Sequence, residues 1–89
     1  MPKHKKNFSK YNTNTQYYKN IPLKLIVYTE SHFERLKAKR FCINNTNQNV
    51  WIPNVYLEED GSIKQDVNID FVFYKARNQL RLAGIEFHP

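Results

Sequence analysis

The apolar residues of this chain change period once, and that change limits the folds open to it. Before residue 69 they come in short runs with two-residue alternation, separated by asparagine, proline and glycine. From Ile69 onward they recur at spacings of four and three, through Phe73, Ala76, Leu80 and Ala83. The first pattern is that of strands with one buried face and the second that of one amphipathic helix. Strands followed by a terminal helix indicate an α+β domain: a small, bent antiparallel sheet or partial barrel of four or five strands, crossed by one C-terminal helix.

Each element has local signals. Leu23, Leu25 and Val27 alternate with Lys24, Ile26 and Tyr28, which predicts the first strand. Ser31-His32-Phe33-Glu34 has the form of a capping box and could open one or two helical turns ending near Ala38, with an irregular turn as the competing reading. Phe41-Cys42-Ile43 and Val50-Trp51-Ile52 flank Asn44 to Asn49, a polar run whose asparagines tolerate left-handed backbone, so the three segments predict a hairpin. Pro53 has no amide hydrogen and should kink the returning strand before Val55-Tyr56-Leu57 resumes it. Glu58 to Gly61 is the next turn, and Ile63 to Ile69 alternates as a fourth strand. Asp70 can cap the helix, and Gly84 can take the left-handed position beyond Ala83 while Ile85 folds back on Leu80. Trp51 is expected in the core, and Cys42 as a small buried hydrophobe.

With 89 residues the chain makes a single domain of modest stability, with no room for an enclosed substrate cavity as well as a core. No run approaches the roughly 18 apolar residues of a membrane span, and no apolar segment follows the first lysines, so neither a membrane anchor nor a secretory signal is expected. One cysteine cannot close an internal disulfide, which suits a reducing, cytoplasmic setting. The net charge of +6 is unevenly placed: residues 1–20 hold five lysines and no acid, against nine basic and eight acidic residues in 21–89. Residues 1–20 therefore read as a flexible basic arm and 21–89 as the folded domain.

These charges carry the functional expectation. Lys3, Lys5, Lys6, Lys10 and Lys19 are interleaved with aromatics that include Tyr17 and Tyr18, the combination by which proteins stack bases and neutralise phosphates of single strands. Tyr17 and Tyr18 could equally pack the end of the arm onto the domain. Arg35, Lys37, Lys39 and Arg40 form the only dense basic patch of the body, and Arg77 and Arg81 lie on the polar face of the helix. Catalysis finds no support. His4, His32, His88 and Cys42 lack zinc spacing, Glu58 to Asp60 reads as a solvated turn, and two glycines cannot build a phosphate loop. No cofactor or metal is expected.

The order Lys37-Ala38 to Ile43, a polar turn, Val50-Trp51-Ile52-Pro53, then a helix closing in Arg81-Leu82-Ala83-Gly84-Ile85 resembles small proteins encoded in tailed phages and prophages. The chain departs from their pattern at Asn54-Val55, at Phe73-Tyr74 and in its lysine-rich arm. The resemblance implies a viral setting and a β-rich fold. Together with the charge it leads to the expectation of a non-enzymatic accessory protein that binds nucleic acid or a nucleoprotein. Two alternatives are an inhibitor of a host defence enzyme, anti-CRISPR-like and seated on a nuclease effector or its guide-RNA groove, and a structural protein of the virion.

Overall fold

The computed structural model describes residues 10–27 and 36–88. Four strands, β1 (Gln16–Tyr18), β2 (Ile21–Leu25), β3 (Ala38–Ile43) and β4 (Asn49–Pro53), form one antiparallel sheet in the order β1-β2-β3-β4. Two short helices, α1 (Asp70–Lys75) and α2 (Arg77–Leu82), cover one face of it. The α+β class agrees with the sequence, but the sheet is open and not a barrel. The two helices cover the inward face of the four strands instead.

Alternation decides which face is buried. Ile21, Leu23 and Leu25 from β2, Phe41 and Ile43 from β3, and Val50 and Ile52 from β4 point inward and are buried. Phe73, Leu80 and Ala83 meet them from the helices, with Ile69 at the approach to α1. The stripe read from the sequence is therefore the buried face of the helical layer, although the layer holds two helices and not one. The break falls at Ala76 (φ −100°, ψ 23°) without proline or glycine, and Ala76 stays buried across it. Gly84 takes φ 82°, and Ile85 N–H donates to Leu80 C=O (2.9 Å) while Gly84 N–H donates to Arg81 C=O (3.0 Å). That pair of bonds is a Schellman ending and closes the helix where the sequence indicated.

The polar run after Ile43 turns as expected, with Asn44 and Asn45 at φ 52° and 58°. Asn44 Nδ2 also donates to the Ala83 carbonyl (2.8 Å), tying this turn to the end of α2. Other expectations need correction. Residues 10–20 belong to the folded body: Gln16–Tyr18 is a strand, and Tyr11 and Tyr18 are in the core. The burial of two tyrosines outweighs the polarity around them. Val55-Tyr56-Leu57 does not resume a strand, because Pro53 leads into a 3-10 turn over Asn54–Tyr56. Ile63 to Ile69 is not a strand either. Only Ile63 bridges, to Leu57; its N–H is taken by the Gln16 side chain (2.8 Å), and Asp66 turns the chain at φ 63°. Asp70 does not cap α1: Ile69 is the cap residue, and Asn68 Oδ1 accepts the Asp70 N–H (3.0 Å). Lys3, Lys5, Lys6, Arg35 and nearly all of the segment read as a helical turn after Ser31 lie outside the described residues.

Asp70 has a different role. Its Oδ1 accepts the Tyr18 hydroxyl (2.5 Å), whose oxygen in turn accepts the buried Ile69 N–H (3.1 Å). Lys19 Nζ lies 3.1 Å from Oδ2 of the same carboxylate. The Tyr18 ring stacks on Phe73 with centroids 5.1 Å apart. One tyrosine thus clamps β1 to the start of the helical layer by a ring and by a hydroxyl.

Candidate nucleic-acid interface

The alternation that builds the core also builds a second surface. With Ile21, Leu23 and Leu25 inward, Pro22 and Lys24 must point away; with Phe41 and Ile43 inward, so must Ala38, Arg40 and Cys42. Tyr17 on β1 and Trp51 on β4 complete this outer face, at 68% and 46% exposure. The core position expected for Trp51 is therefore corrected. Its neighbours Val50 and Ile52 are the buried pair, and a strand of period two cannot bury all three.

The register sets the neighbours on this face. Arg40 is opposite Trp51, Cys42 lies between Lys24 and Asn49, and Tyr17 is opposite Pro22. The Arg40 guanidinium sits 5.7 Å from the centre of the Trp51 ring, close enough for a cation–π contact. Across the sheet, Tyr17, Thr15, Pro22, Lys24, Cys42 and Asn44 surround a shallow depression of about 170 Å³. The two outer aromatics sit on the two edge strands, three strand spacings apart across the sheet and offset by four residues along it, which together make about 20 Å. Between them stand Lys24 and Arg40, and none of the strand residues of this face is acidic. No family model, curated protein or solved structure matches the chain.

The residues singled out in the sequence divide over several surfaces. Tyr17 and Arg40 share the outer face, two strands apart, and Lys37 is exposed where β3 begins. Tyr18 is in the core, and Lys19 is engaged with Asp70. Lys39 points inward and is buried, its ammonium donating to Asn54 Oδ1 (2.9 Å), so the run Arg35 to Arg40 is not one continuous patch. Strand alternation separates Lys39 from Arg40. Lys10 lies 5.4 Å from the Tyr11 ring centre, beside Glu59 and Asp60. Arg77 and Arg81 are exposed on α2, in the other layer. Cys42 is half-buried on the outer face, with Sγ 3.1 Å from the Thr46 carbonyl, and is not a core hydrophobe. Lys24 escapes a reading that looks for charge clusters, although its place in the Leu23-Lys24-Leu25 alternation marks it as outward.

Titration is perturbed elsewhere. The Tyr18 hydroxyl and then Lys19 hold the Asp70 carboxyl below its ordinary range, while burial and then Asp70 push Tyr18 up. The Ser62 N–H and hydroxyl lower Asp60 in the turn. Among the described residues no group of three or more His, Cys, Asp or Glu comes together, and no helix is long and apolar enough to cross a membrane.

Proposed function

We propose that the outer sheet face is a platform for single-stranded nucleic acid, with Tyr17 and Trp51 stacking on bases and Lys24, Arg40 and Lys37 neutralising phosphates. The observation that carries this is the sheet face itself: two exposed rings on opposite edge strands with Lys24 and Arg40 between them and, among the described strand residues of the face, no carboxylate. Stacking on a sheet surface suits single strands, because bases in a duplex are already stacked on one another. Lys3, Lys5 and Lys6 add charge near β1 in sequence and would lengthen the phosphate track. The chain does no chemistry in this scheme, and contacts to phosphate give affinity without reading sequence. The phage setting is supported by the resemblance alone.

The test is fluorescence anisotropy of labelled single-stranded and duplex DNA and RNA across a salt series, with Tyr17→Ala and Trp51→Ala beside the parent chain. Stacking contributes about 1–3 kcal/mol per base, so each variant should lose about five- to 150-fold in affinity for single strands. Lys24→Gln should shallow the slope of log affinity against log salt. Absence of binding near physiological salt, or binding that neither aromatic variant changes, would refute the proposal. The chain would then be sought on a host enzyme as an inhibitor.

A further inference from the structure

The β4 edge carries a second surface beside the sheet face, and Trp51 borders both. β4 ends the sheet, and no strand of the described residues pairs with its outer side. The phase of its hydrogen bonds follows from both ends of the β3–β4 ladder: Ile43 N–H donates to Gln48 C=O (2.8 Å), and Asn54 N–H donates to Lys37 C=O (2.9 Å). In an antiparallel pair, residues that bond the partner alternate with residues that do not. Val50 and Ile52 therefore bond β3, while the N–H and C=O of Asn49 and Trp51 point away from the sheet. Pro53 falls in the same phase, so its missing N–H also lies on the outer side, where an edge strand tolerates proline. The strand Asn-Val-Trp-Ile-Pro carries no charge of the kind that usually guards such an edge.

Beside this edge lies a groove of about 360 Å³ between β4 and the helices, lined by Trp51, Pro53, Phe71, Val72, Lys75 and Gln79 among others. Phe71 is 44% exposed. Among the described residues, the groove's one charged lining residue is Lys75, and no carboxylate lines it. We infer that the β4 edge takes an extended segment of a protein partner whose helix-facing row of side chains is apolar and carries one carboxylate. Its main chain would extend the sheet through Asn49 and Trp51, and its helix-facing side chains, every second residue, would cover Phe71 and Val72 and bring the carboxylate to Lys75. Strand addition gains affinity from the main chain and specificity from such pockets. Charge selects this occupant over a second copy, which would bring a like chain of net +6 to the same edge and set one Lys75 near another.

The probe is a capped nine-residue peptide with valine at every second position, glutamate in place of one of those valines and threonine between them, titrated into the ¹⁵N-labelled full chain. A peptide with lysine for glutamate is the control. Binding should saturate, slow hydrogen exchange at the Asn49 and Trp51 amides, and change the fluorescence of Trp51, the only tryptophan. Lys75→Glu, an exposed change, should weaken it about tenfold, and the lysine peptide should bind more weakly than the glutamate one. Unchanged exchange at Asn49 and Trp51 under a large peptide excess would overturn the inference. So would equal affinity for Lys75→Glu, or protection of the two amides that rises with protein concentration alone, which would make the occupant a second copy.

Discussion

Replacing Tyr18 by phenylalanine removes one oxygen and leaves the ring, so it separates the two halves of the clamp between β1 and α1. The remaining phenyl ring would still stack on Phe73, whose ring centre lies 5.1 Å from that of Tyr18. The hydroxyl is the acceptor for the buried Ile69 N–H, and leaving that donor unmatched costs about 1–3 kcal/mol. Loss of the bond to Asp70 adds to this. For a domain of this size each kcal/mol moves the midpoint by about 4–8 °C, so the central figure of about 2 kcal/mol lowers Tm by about 8–16 °C. Thermal unfolding followed by far-UV circular dichroism at neutral pH measures it. Asp70→Asn should cost less, since Tyr18 keeps its oxygen for Ile69 and the new amide carbonyl can accept the hydroxyl. The pH profile gives a second readout. Asp70 is depressed in the folded state, so its contribution is present above the ordinary value of 3.8 and is lost as pH falls through the lower folded value. Tyr18 is raised, so its contribution is present below 10.0 and is lost as pH rises through the higher folded value. Tyr18→Phe should flatten both limbs. A midpoint within about 2 °C of the parent, set against the range derived above, or a larger loss from Asp70→Asn than from Tyr18→Phe, would refute the assignment of the Ile69 N–H as the controlling group.

Gly61 stands at φ 85°, and a β-carbon there would lie 2.6 Å from Leu25 Cδ2, so Gly61→Ala should cost about 1–3 kcal/mol through backbone strain and displacement of a buried leucine, read by urea denaturation. Asn44 combines φ 52° with its bond to the Ala83 carbonyl. Asn44→Gly should lose only the bond, about 0.5–1.5 kcal/mol, and Asn44→Ala should lose about 1–2 kcal/mol more for the left-handed backbone; equal losses would remove the backbone from the account.

The inward half of the sheet was legible because it depends on alternation alone. Leu23, Leu25, Phe41, Ile43, Val50 and Ile52 lie on the side their spacing requires, and the Asn44-Asn45 turn and the Gly84 stop follow from backbone chemistry that the residue types announce. What was hidden depends on partners distant in the chain. Tyr18 and Asp70 are 52 residues apart, and nothing near Asp70 distinguishes a cap from a clamp; the local signal was already met by Asn68. Ile63 to Ile69 had the pattern of a strand, but only Ile63 bridges, to Leu57, and Gln16 took its amide. The charge cluster misled for a related reason. Four cations within six positions look like one patch in sequence, but a strand sends alternate residues to opposite faces, so Lys39 went into the body and Arg40 onto the surface.

The same period of two explains why the candidate site resisted reading although its parts were visible. A core-facing strand always presents a second row of residues, and the chain has no helical pattern on its first half long enough to cover that row. Tyr17, Lys24, Arg40 and Trp51 are that remainder: they look ordinary singly because each is defined by neighbours that face the other way. Trp51 shows how the choice falls. Burying it would have exposed Val50 and Ile52 together and left Phe73 and Leu80 without the aliphatic surface they pack on. The large ring is outward because two smaller inward residues bury more in sum, and its neighbours hold it at the surface with an arginine beside it, which is what the proposed stacking role requires.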